Sequence, residues 1–341
     1  MLVAVVPTVA IFLASAREQR RLLVEQASGG ATRIAQLVAE RNQRKLDAAH
    51  GLLLAVSRMH AVAELDGSAC SESLGPLLAL EPVFINVGAT TPDGRVFCSA
   101  APLSGKVNLS DRAFYREALR ARGLGVGEYV ISRIRGTGAL GFGFPVERGG
   151  DIVAVTFASL ATEKLQAELD ALELPAGTQV VVLDRGGVTL TVRPDADRLA
   201  GKRFDPALVE RVRAAGGPIA LDGPDGVRRL YDVRPVTAPD GTTAISVLAG
   251  IPLGAVVDPV NRVTSRALAW SLVAIAVALA FALLAAELAI VRRLRRIADA
   301  ARALAGGDLA TRTGVASRDE IGALAARFDD MARALEALDR E

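Results

Sequence analysis

Histidine and cysteine are scarce in this sequence of 341 residues, which contains two of each. Two histidines leave little room for histidine-based metal binding or acid–base catalysis. Two cysteines are too few for a cysteine-rich metal cluster, although they allow one disulfide. The formal net charge is only +2, so the chain as a whole lacks the basic bias of nucleic-acid-binding proteins. We therefore expect no metal, no cofactor and no nucleic-acid partner.

Aromatic residues are also few, at 4%, yet 51% of the residues are hydrophobic. The mean hydropathy of +0.32 is high for a wholly soluble protein, which indicates membrane spans. Segment 267–291 has a single charged residue, Glu287, near its end, and about 20 apolar residues suffice to cross a bilayer. We predict a transmembrane helix here. The arginines at 292–296 place its C-terminal side in the cytoplasm, because positive charge is enriched in cytoplasmic loops.

A second apolar stretch, residues 1–16, is short for a membrane span and has no positive charge at its start. We interpret it as a first transmembrane helix that lacks its N-terminal turns. The alternative is a signal peptide, since Ala-Ser-Ala at 14–16 fits a signal-peptidase site. Either interpretation exports the region up to residue 266. The sequence leaves open whether Met1 is the true start.

The exported region changes character along its length. Residues 17–66 have apolar residues at helical spacing and predict a long stalk helix. Short apolar strands separated by glycine turns follow, as around the Pro92-Asp93-Gly94 turn signal. Segments 144–160 and 234–253 form a weak internal repeat, each with Pro-Val, a turn and an apolar strand. The predicted fold class is therefore α+β, with two antiparallel-sheet modules at 67–162 and 163–266.

The cytoplasmic region repeats apolar residues at alternating steps of three and four, the heptad pattern of helices that pack on other helices. One such segment lies at 290–304 and the other at 321–338, joined by a connector that contains glycine. The residues predicted to pack in this region are Leu294, Ile297, Leu304, Leu309, Ile321, Leu324, Phe328 and Met331.

Together these features resemble a double Cache sensor with a HAMP domain at 292–341. Gly-Asp-Leu at 307–309 matches the end of the first HAMP helix. Asp-Glu-Ile-Gly at 319–322, followed by Phe328 and Met331, matches the opening of the second. The resemblance implies two stacked PAS-like modules and a homodimer whose HAMP helices form a parallel four-helix bundle. HAMP domains usually carry proline near the start of the first helix; its absence here leaves the membrane helix free to run on unkinked.

The function implied by the resemblance is that of a bacterial transmembrane signal receptor in the inner membrane. Its sensor domain would be periplasmic or extracellular, and its HAMP domain cytoplasmic. The missing effector would most often be a histidine kinase, making this a two-component system; the alternatives are a diguanylate cyclase or a methyl-accepting chemotaxis module. No effector motif is present, so we expect no catalytic activity from the chain as given. A ligand-free scaffold anchored in the membrane is the hypothesis from another class.

The ligand site implied by the resemblance lies in the membrane-distal module. Cache modules that bind amino acids carry a motif similar to Arg112-Ala-Phe114-Tyr115, with tryptophan where this chain has Phe114. An arginine fork fits a carboxylate, but strand 152–160 offers no acid for an amino group, so a plain carboxylate is favoured. The alternative is that Phe114 and Tyr115 are core residues and that Arg112 forms a structural ion pair. Further candidates for the site are Tyr129, Ser132 and Arg133.

Cys70 and Cys98 both lie in the predicted exported region. An oxidising compartment favours a disulfide between them, and related Cache sensors show a similar pair. The alternative is two buried thiols.

Overall fold

A computed structural model of the protein describes residues 2–339. The chain divides into two compact units, Met1–Val260 and Asn261–Glu341. The first unit contains α1 (Leu2–Ser57) and two five-stranded sheets, and the second is helical. This architecture confirms the predicted α+β class.

The N-terminal helix α1 ends at Ser57, earlier than the predicted 66. Two short helices follow it, α2 (His60–Ala63) and α3 (Gly67–Leu80). Leu65 has a left-handed φ of 57°, which a continuous helix does not allow. Asp66 then caps α3 by accepting hydrogen bonds from the N–H groups of Ser68 and Ala69. A local capping signal therefore overrides the helical apolar spacing.

Each sheet in the first unit is antiparallel, and both have the same strand order. The first module has the order β2-β1-β5-β4-β3, and the second has β7-β6-β10-β9-β8. The strands of the first are β1 (Phe84–Thr90), β2 (Val96–Ser99), β3 (Gly125–Ile131), β4 (Gly138–Arg148) and β5 (Asp151–Ala161). Those of the second are β6 (Gln179–Asp184), β7 (Thr189–Arg193), β8 (Ile219–Asp222), β9 (Arg228–Thr237) and β10 (Thr243–Pro252).

Three longer helices flank these sheets: α4 (Ala113–Ala121), α5 (Thr162–Asp170) and α7 (Pro206–Ala215), with a short α6 (Ala196–Leu199). A shared core joins α1 to both sheets, because Leu46 and Leu53 of the helix, Leu140 of β4 and Val247 of β10 are buried in one cluster. The close approach of α1 to β10 needs glycine: a Cβ on Gly30 would lie 2.9 Å from a side-chain carbon of Ile251.

The second unit contains most of the apolar helix α8 (Leu253–Ala286). Within it, Ala269–Ala286 has a mean hydropathy of 2.4 and is long enough to cross a membrane. The expected first segment, 1–16, lies largely outside the residues whose side chains are described. Among the described residues, the candidate membrane span is therefore the one in α8.

A π-helical turn, Glu287–Val291, connects α8 to α9 (Arg292–Ala305). The absence of proline in this segment allowed an unkinked helix, but the structure has a π-helical turn there. Such a turn inserts one extra residue and locally distorts the helix. Glu287 also pairs with Arg295, with 3.3 Å between their oxygen and nitrogen.

The connector and α10 (Glu320–Asp339) complete the second unit. Asp329 accepts hydrogen bonds from the N–H and hydroxyl of Thr313 at 2.8 and 3.0 Å, and Arg293 pairs with Asp319 at 3.0 Å. These contacts tie the connector and both helices together within one chain.

Candidate functional site

The predicted ligand site forms a small pocket on the first module. The pocket has a volume of about 20 Å³. It is lined by the start of α4, by the β3–β4 turn and by the strands β3, β4 and β5. This volume holds about one water molecule. The pocket is lined in part by Leu109, Arg112, Phe114, Ser132, Arg133 and Ser159.

Phe114 fills the floor of the pocket and is 6% exposed. Its ring lies on glycines of β3 and β4: a Cβ on Gly141 would stand 2.4 Å from the ring, and one on Gly143 would stand 2.9 Å from it. A Cβ on Gly127 would stand 3.3 Å from the same ring. These alternate glycines in two strands therefore make the space that the aromatic ring occupies.

Arg112 sits at the N-cap position of α4, with extended backbone angles. Its guanidinium donates a hydrogen bond to the carbonyl oxygen of Ile131 at 3.3 Å. Among the side chains that the structure describes, no Asp or Glu forms an ion pair with it. Burial, and then the charge of Arg133, lowers the pKa of Arg112, against the opposing pull of Asp111. The electrostatics of this position therefore favour an additional anion.

Arg133 closes one side of the pocket. It donates two hydrogen bonds to the carboxylate of Asp111, at 2.7 and 2.8 Å, and a third to the carbonyl of Asn108 at 2.7 Å. The hydrogen bond from Arg133 holds the pKa of Asp111 below its usual range. We call this contact between the β3–β4 turn and the segment before α4 the Arg133 clamp.

Ser132 supports the same turn. Its hydroxyl accepts hydrogen bonds from the backbone N–H groups of Ile134 and Arg135, at 3.4 and 3.2 Å. The side chain lines the pocket, but its lone pairs are partly used in the turn.

Neither of the two predicted tyrosines, Tyr115 and Tyr129, lines the pocket. The buried hydroxyl of Tyr115 donates to the carbonyl of Pro92 at 2.6 Å, so Tyr115 acts as a structural tie, and burial followed by the charge of Asp93 raises its pKa. Tyr129 points away from the pocket, toward Gly138 and Gly201. The register of β3 shifts between Val126 and Tyr129, which turns the tyrosine to the opposite face.

A contact between the modules lies directly behind the pocket. Asp184, at the end of β6, is 2% exposed and accepts a hydrogen bond from the backbone N–H of Tyr129 at 2.8 Å. The neighbouring Arg185 forms an ion pair with Glu117 of α4. Two adjacent residues of the second module thus hold both β3 and α4, the elements that line the pocket.

Sequence reasoning overlooked Asp111, Asn108 and the glycine floor. The pairs Gly125–Gly127 and Gly141–Gly143 recur at every second position in their strands, and that spacing places each pair on one face. It is the signal that could have indicated a bound ring.

Cys70 and Cys98 form a disulfide with a Cα–Cα distance of 5.9 Å. It joins α3 to β2 within a buried cluster, and neither cysteine is among the residues that line the pocket.

The residues expected to pack in the C-terminal helical region divide into two groups. Ile297 is buried, and Leu304, Leu309, Ile321 and Phe328 are half-buried. The exposed group comprises Leu294, Leu324 and Met331. Within one chain, α9 and α10 also bury three small residues, Ala300, Ala325 and Ala332.

Comparison with known proteins identifies the parts of the chain. Residues 288–337 match the HAMP domain model, which begins four residues before the predicted start at 292. The signal transduction histidine-protein kinase BaeS of Escherichia coli (strain K12) is 36% identical over 121 residues, covering 31% of this chain and 26% of that protein. The chain therefore spans about a quarter of the length of this curated relative.

Solved structures show the fold of the remainder. The extracellular domain of rpHK1S-Z16, a protein named as a histidine kinase, has a TM-score of 0.57 at 18% identity, covering 67% of this chain and 95% of that chain. The ligand-binding domain of the Pseudomonas fluorescens chemoreceptor CtaA, in complex with L-isoleucine, has a TM-score of 0.54 at 18% identity, covering 69% and 95%. That of Campylobacter jejuni Tlp3, in complex with L-valine, gives 0.53 at 12% identity, covering 70% and 97%.

The chain thus shares the fold of these receptor ligand-binding domains over about two thirds of its length, and residues 288–337 match the HAMP domain. This is the architecture that the sequence resembles.

Proposed function

We propose that the chain is the input half of a bacterial transmembrane receptor whose first module binds a small carboxylate. The observation that carries this proposal is Arg112: this residue lines a small pocket beside Phe114, and its guanidinium pairs with no described carboxylate. A guanidinium in this setting gains most from a ligand that supplies the missing negative charge in bidentate geometry.

Breaking the Arg133 clamp would allow the pocket to open, because this contact holds the β3–β4 turn to the segment before α4. The cavity of about 20 Å³ has room for about one water molecule, and movement of the β3–β4 turn away from the segment before α4 would give a ligand more room. A ligand carboxylate between Arg112 and Arg133 would compete with Asp111 for the same donors. Binding would therefore replace one set of charge-assisted bonds with another and leave the turn in a new position.

A plain carboxylate fits this pocket better than an amino acid. On β5, the pocket-lining residues are Phe157 and Ser159, and neither can neutralise an amino group. Asp111 is the nearby acid, and its carboxylate is held by Arg133. Two of the similar receptor domains were solved with L-isoleucine and L-valine, so amino acids are the natural competitors to test.

The signal would leave the pocket through Asp184 and Arg185, because these residues hold β3 and α4 to the second module. The last strand of that module, β10, ends at Pro252, and α8 begins at Leu253. A displacement of β10 would be passed along α8 to the HAMP helices.

The exposed apolar residues of α9 and α10 favour a homodimer, in which the HAMP helices bury Leu294, Leu324 and Met331 against a second chain. The arginines after α8 favour a cytoplasmic HAMP domain and an exported sensor region. A histidine kinase effector is supported by the relative BaeS. A chemotaxis module is the second candidate, favoured by the fold shared with the chemoreceptors CtaA and Tlp3.

Ligand binding to the full chain in detergent micelles tests the proposal. Acetate, propionate and butyrate are compared with L-isoleucine, L-valine and propylamine by thermal unfolding at constant ionic strength, since a ligand that binds the folded state raises apparent stability. We expect a carboxylate to stabilise the protein and Arg112→Gln to weaken its binding by about tenfold or more, equivalent to about 1.4 kcal/mol.

Arg116→Gln is the matched control, because Arg116 lies on the same helix and is exposed. Its binding should equal that of the unmodified chain. If no carboxylate binds, or if both variants bind it equally well, the proposed site is wrong.

A further inference from the structure

A second concave surface lies on the second module, away from the pocket that holds Arg112. Two adjoining cavities of about 190 and 270 Å³ share Arg213 and Ser246 as lining residues. The first reaches the β6–β7 turn and the start of α7, and the second reaches the end of α7 and β9. We call this combined surface the Arg213 cleft. It has room for a small organic molecule without the opening that the first module requires.

Arginines line both halves of the cleft. Arg185 and Arg203 lie in the first cavity, Arg234 lies in the second, and Arg213 lies between them. Each guanidinium has five N–H donors, and the contacts within the chain use only part of this capacity. Arg203, for example, donates to the carbonyl of Gly186 at 3.0 Å.

The acids of the cleft are already engaged. Asp184 accepts backbone N–H groups on both carboxylate oxygens, from Val188 and Tyr129, each at 2.8 Å. Asp232 accepts from the side chain of Arg234 at 2.9 Å. The remaining acid, Glu210, pairs with Arg213. Arg185 also pairs with Glu117, so Arg203 is the guanidinium of the cleft that has no carboxylate partner among the described side chains.

Arg213 is the residue best placed to change partner. Its side chain is 52% exposed, and its ion pair with Glu210 is a surface contact between residues three apart on α7. Exposed pairs of this kind contribute little to stability. The other contact, to the hydroxyl of Ser246, is long at 3.5 Å. Exchanging these two contacts of Arg213 for contacts with a bound anion would therefore cost little folding stability.

We propose that the Arg213 cleft binds a small dicarboxylate. One carboxylate is held by Arg213 in bidentate geometry and accepts the hydroxyl of Ser246, and the other is held by Arg203 or Arg234 at either side. This would be a second ligand site, distinct from the monocarboxylate pocket of the first module. Ser246 lies on β10, the strand that precedes α8, so the site adjoins the last element of the sensor region.

Isothermal titration of the full chain in detergent micelles tests this site. The probes are the dicarboxylates succinate and glutarate, with propionate as the single-carboxylate control at the same ionic strength. We expect a saturable heat for a dicarboxylate probe, and we expect Arg213→Gln to weaken its binding about tenfold or more. Arg203→Gln and Arg234→Gln should show which side holds the second carboxylate, one of them weakening binding by a similar factor.

Arg198→Gln is the matched control, because Arg198 also pairs with an acid three residues away and has a 61% exposed side chain. Its binding should stay within about twofold of the unmodified chain. Thermal unfolding without ligand checks that each variant is folded. If Arg213→Gln unfolds, Ser246→Ala replaces it and should weaken binding.

Three results would overturn the proposal. One is the absence of saturable binding of succinate and glutarate up to about 10 mM. Another is equal binding by Arg213→Gln and Arg198→Gln. The third is dicarboxylate binding that is lost in Arg112→Gln and kept in Arg213→Gln, which would assign the ligand to the first module.

Discussion

The two sheet modules share one strand order but use it differently. In the first, an aromatic ring from α4 lies on the glycines of β3 and β4 and fills the space over the sheet. In the second, the aromatic residue of that region, Tyr231, belongs to β9 itself and is fully buried. The space beside α7 remains open as the Arg213 cleft. Strand topology therefore fixes where a site can form, and side chains decide whether it is closed or open.

The second module also has a polar network in its core that distinguishes it from the first. The hydroxyl of Tyr231 donates to the side-chain oxygen of Gln179 at 2.8 Å. Nearby, Arg229 is almost fully buried and forms a bidentate ion pair with Asp225, with both hydrogen bonds at 2.7 Å. A fully paired network of this kind holds the module rigid.

The largest predicted effect is on this ion pair. Asp225→Ala leaves the buried Arg229 without its carboxylate, and removing one partner of a buried pair costs about 3 kcal/mol of unfolding free energy. Thermal or urea unfolding of the full chain measures it. Asp222→Ala is the control, because its pair with Arg228 is exposed on both sides; a similar loss in both variants would contradict the special role of the buried pair.

The same variant has a predicted pH dependence. The hydrogen bonds from Arg229 hold the pKa of Asp225 below its usual value. The stability that this carboxylate contributes is therefore complete above the unfolded pKa of about 3.9 and is lost as the pH falls through the lower folded value. Unfolding curves of the unmodified chain and Asp225→Ala should converge in that acid range, and a constant difference would contradict the assignment.

The next effect tests the glycine floor of the first module. In Gly141→Ala, the new Cβ would lie 2.4 Å from the ring of Phe114, and such overpacking costs about 2 kcal/mol. Gly123→Ala is the control, because its nearest contact would be an ordinary 3.7 Å. Unfolding measurements on both variants separate crowding from a general effect of alanine. Equal stability of the two would show that the floor does not constrain the ring.

The smallest predicted effect concerns the contact between the modules. Glu117→Gln removes the charge that pairs with Arg185, and we expect a loss of about 1 kcal/mol, since this pair is only partly exposed. Glu147→Gln removes an exposed pair with Arg122 and should change little. In calorimetric unfolding, the two modules should unfold less cooperatively in Glu117→Gln but not in Glu147→Gln. Unchanged cooperativity in Glu117→Gln would show that this ion pair does not connect the modules energetically.

Much of this architecture was predictable because it depends on periodic apolar patterns and glycine turns. The strands, the apolar helix α8 and the HAMP motif at 319–331 are of that kind. The site was less predictable, since which face Tyr129 occupies depends on one register shift in β3. Likewise, the hydroxyl of Tyr115 is used by the carbonyl of Pro92, a residue 23 positions away. Long-range contacts of this kind leave no local pattern.

The π-helical turn at Glu287–Val291 shows the same limit. The sequence lacks the proline that usually bends the helix at the start of HAMP, and that absence left an unkinked helix open. The structure instead distorts this segment through its hydrogen-bond pattern, which depends on the surrounding helix as well as on residue type.

The most direct test of the central claim measures whether the pocket at Arg112 controls the HAMP helices. Among the described residues no cysteine is free, so Ala326→Cys gives one site for a spin label, at an exposed position of α10 outside the apolar seam of Leu324 and Met331. The labelled full chain is placed in nanodiscs, and double electron–electron resonance measures the distance between the labels of two subunits. The measurement is made with and without the carboxylate that raises the unfolding temperature most. The account predicts a ligand-dependent change in this distance, which Arg112→Gln abolishes and Arg116→Gln retains. An unchanged distance at saturating ligand, or a change that persists in Arg112→Gln, would contradict it.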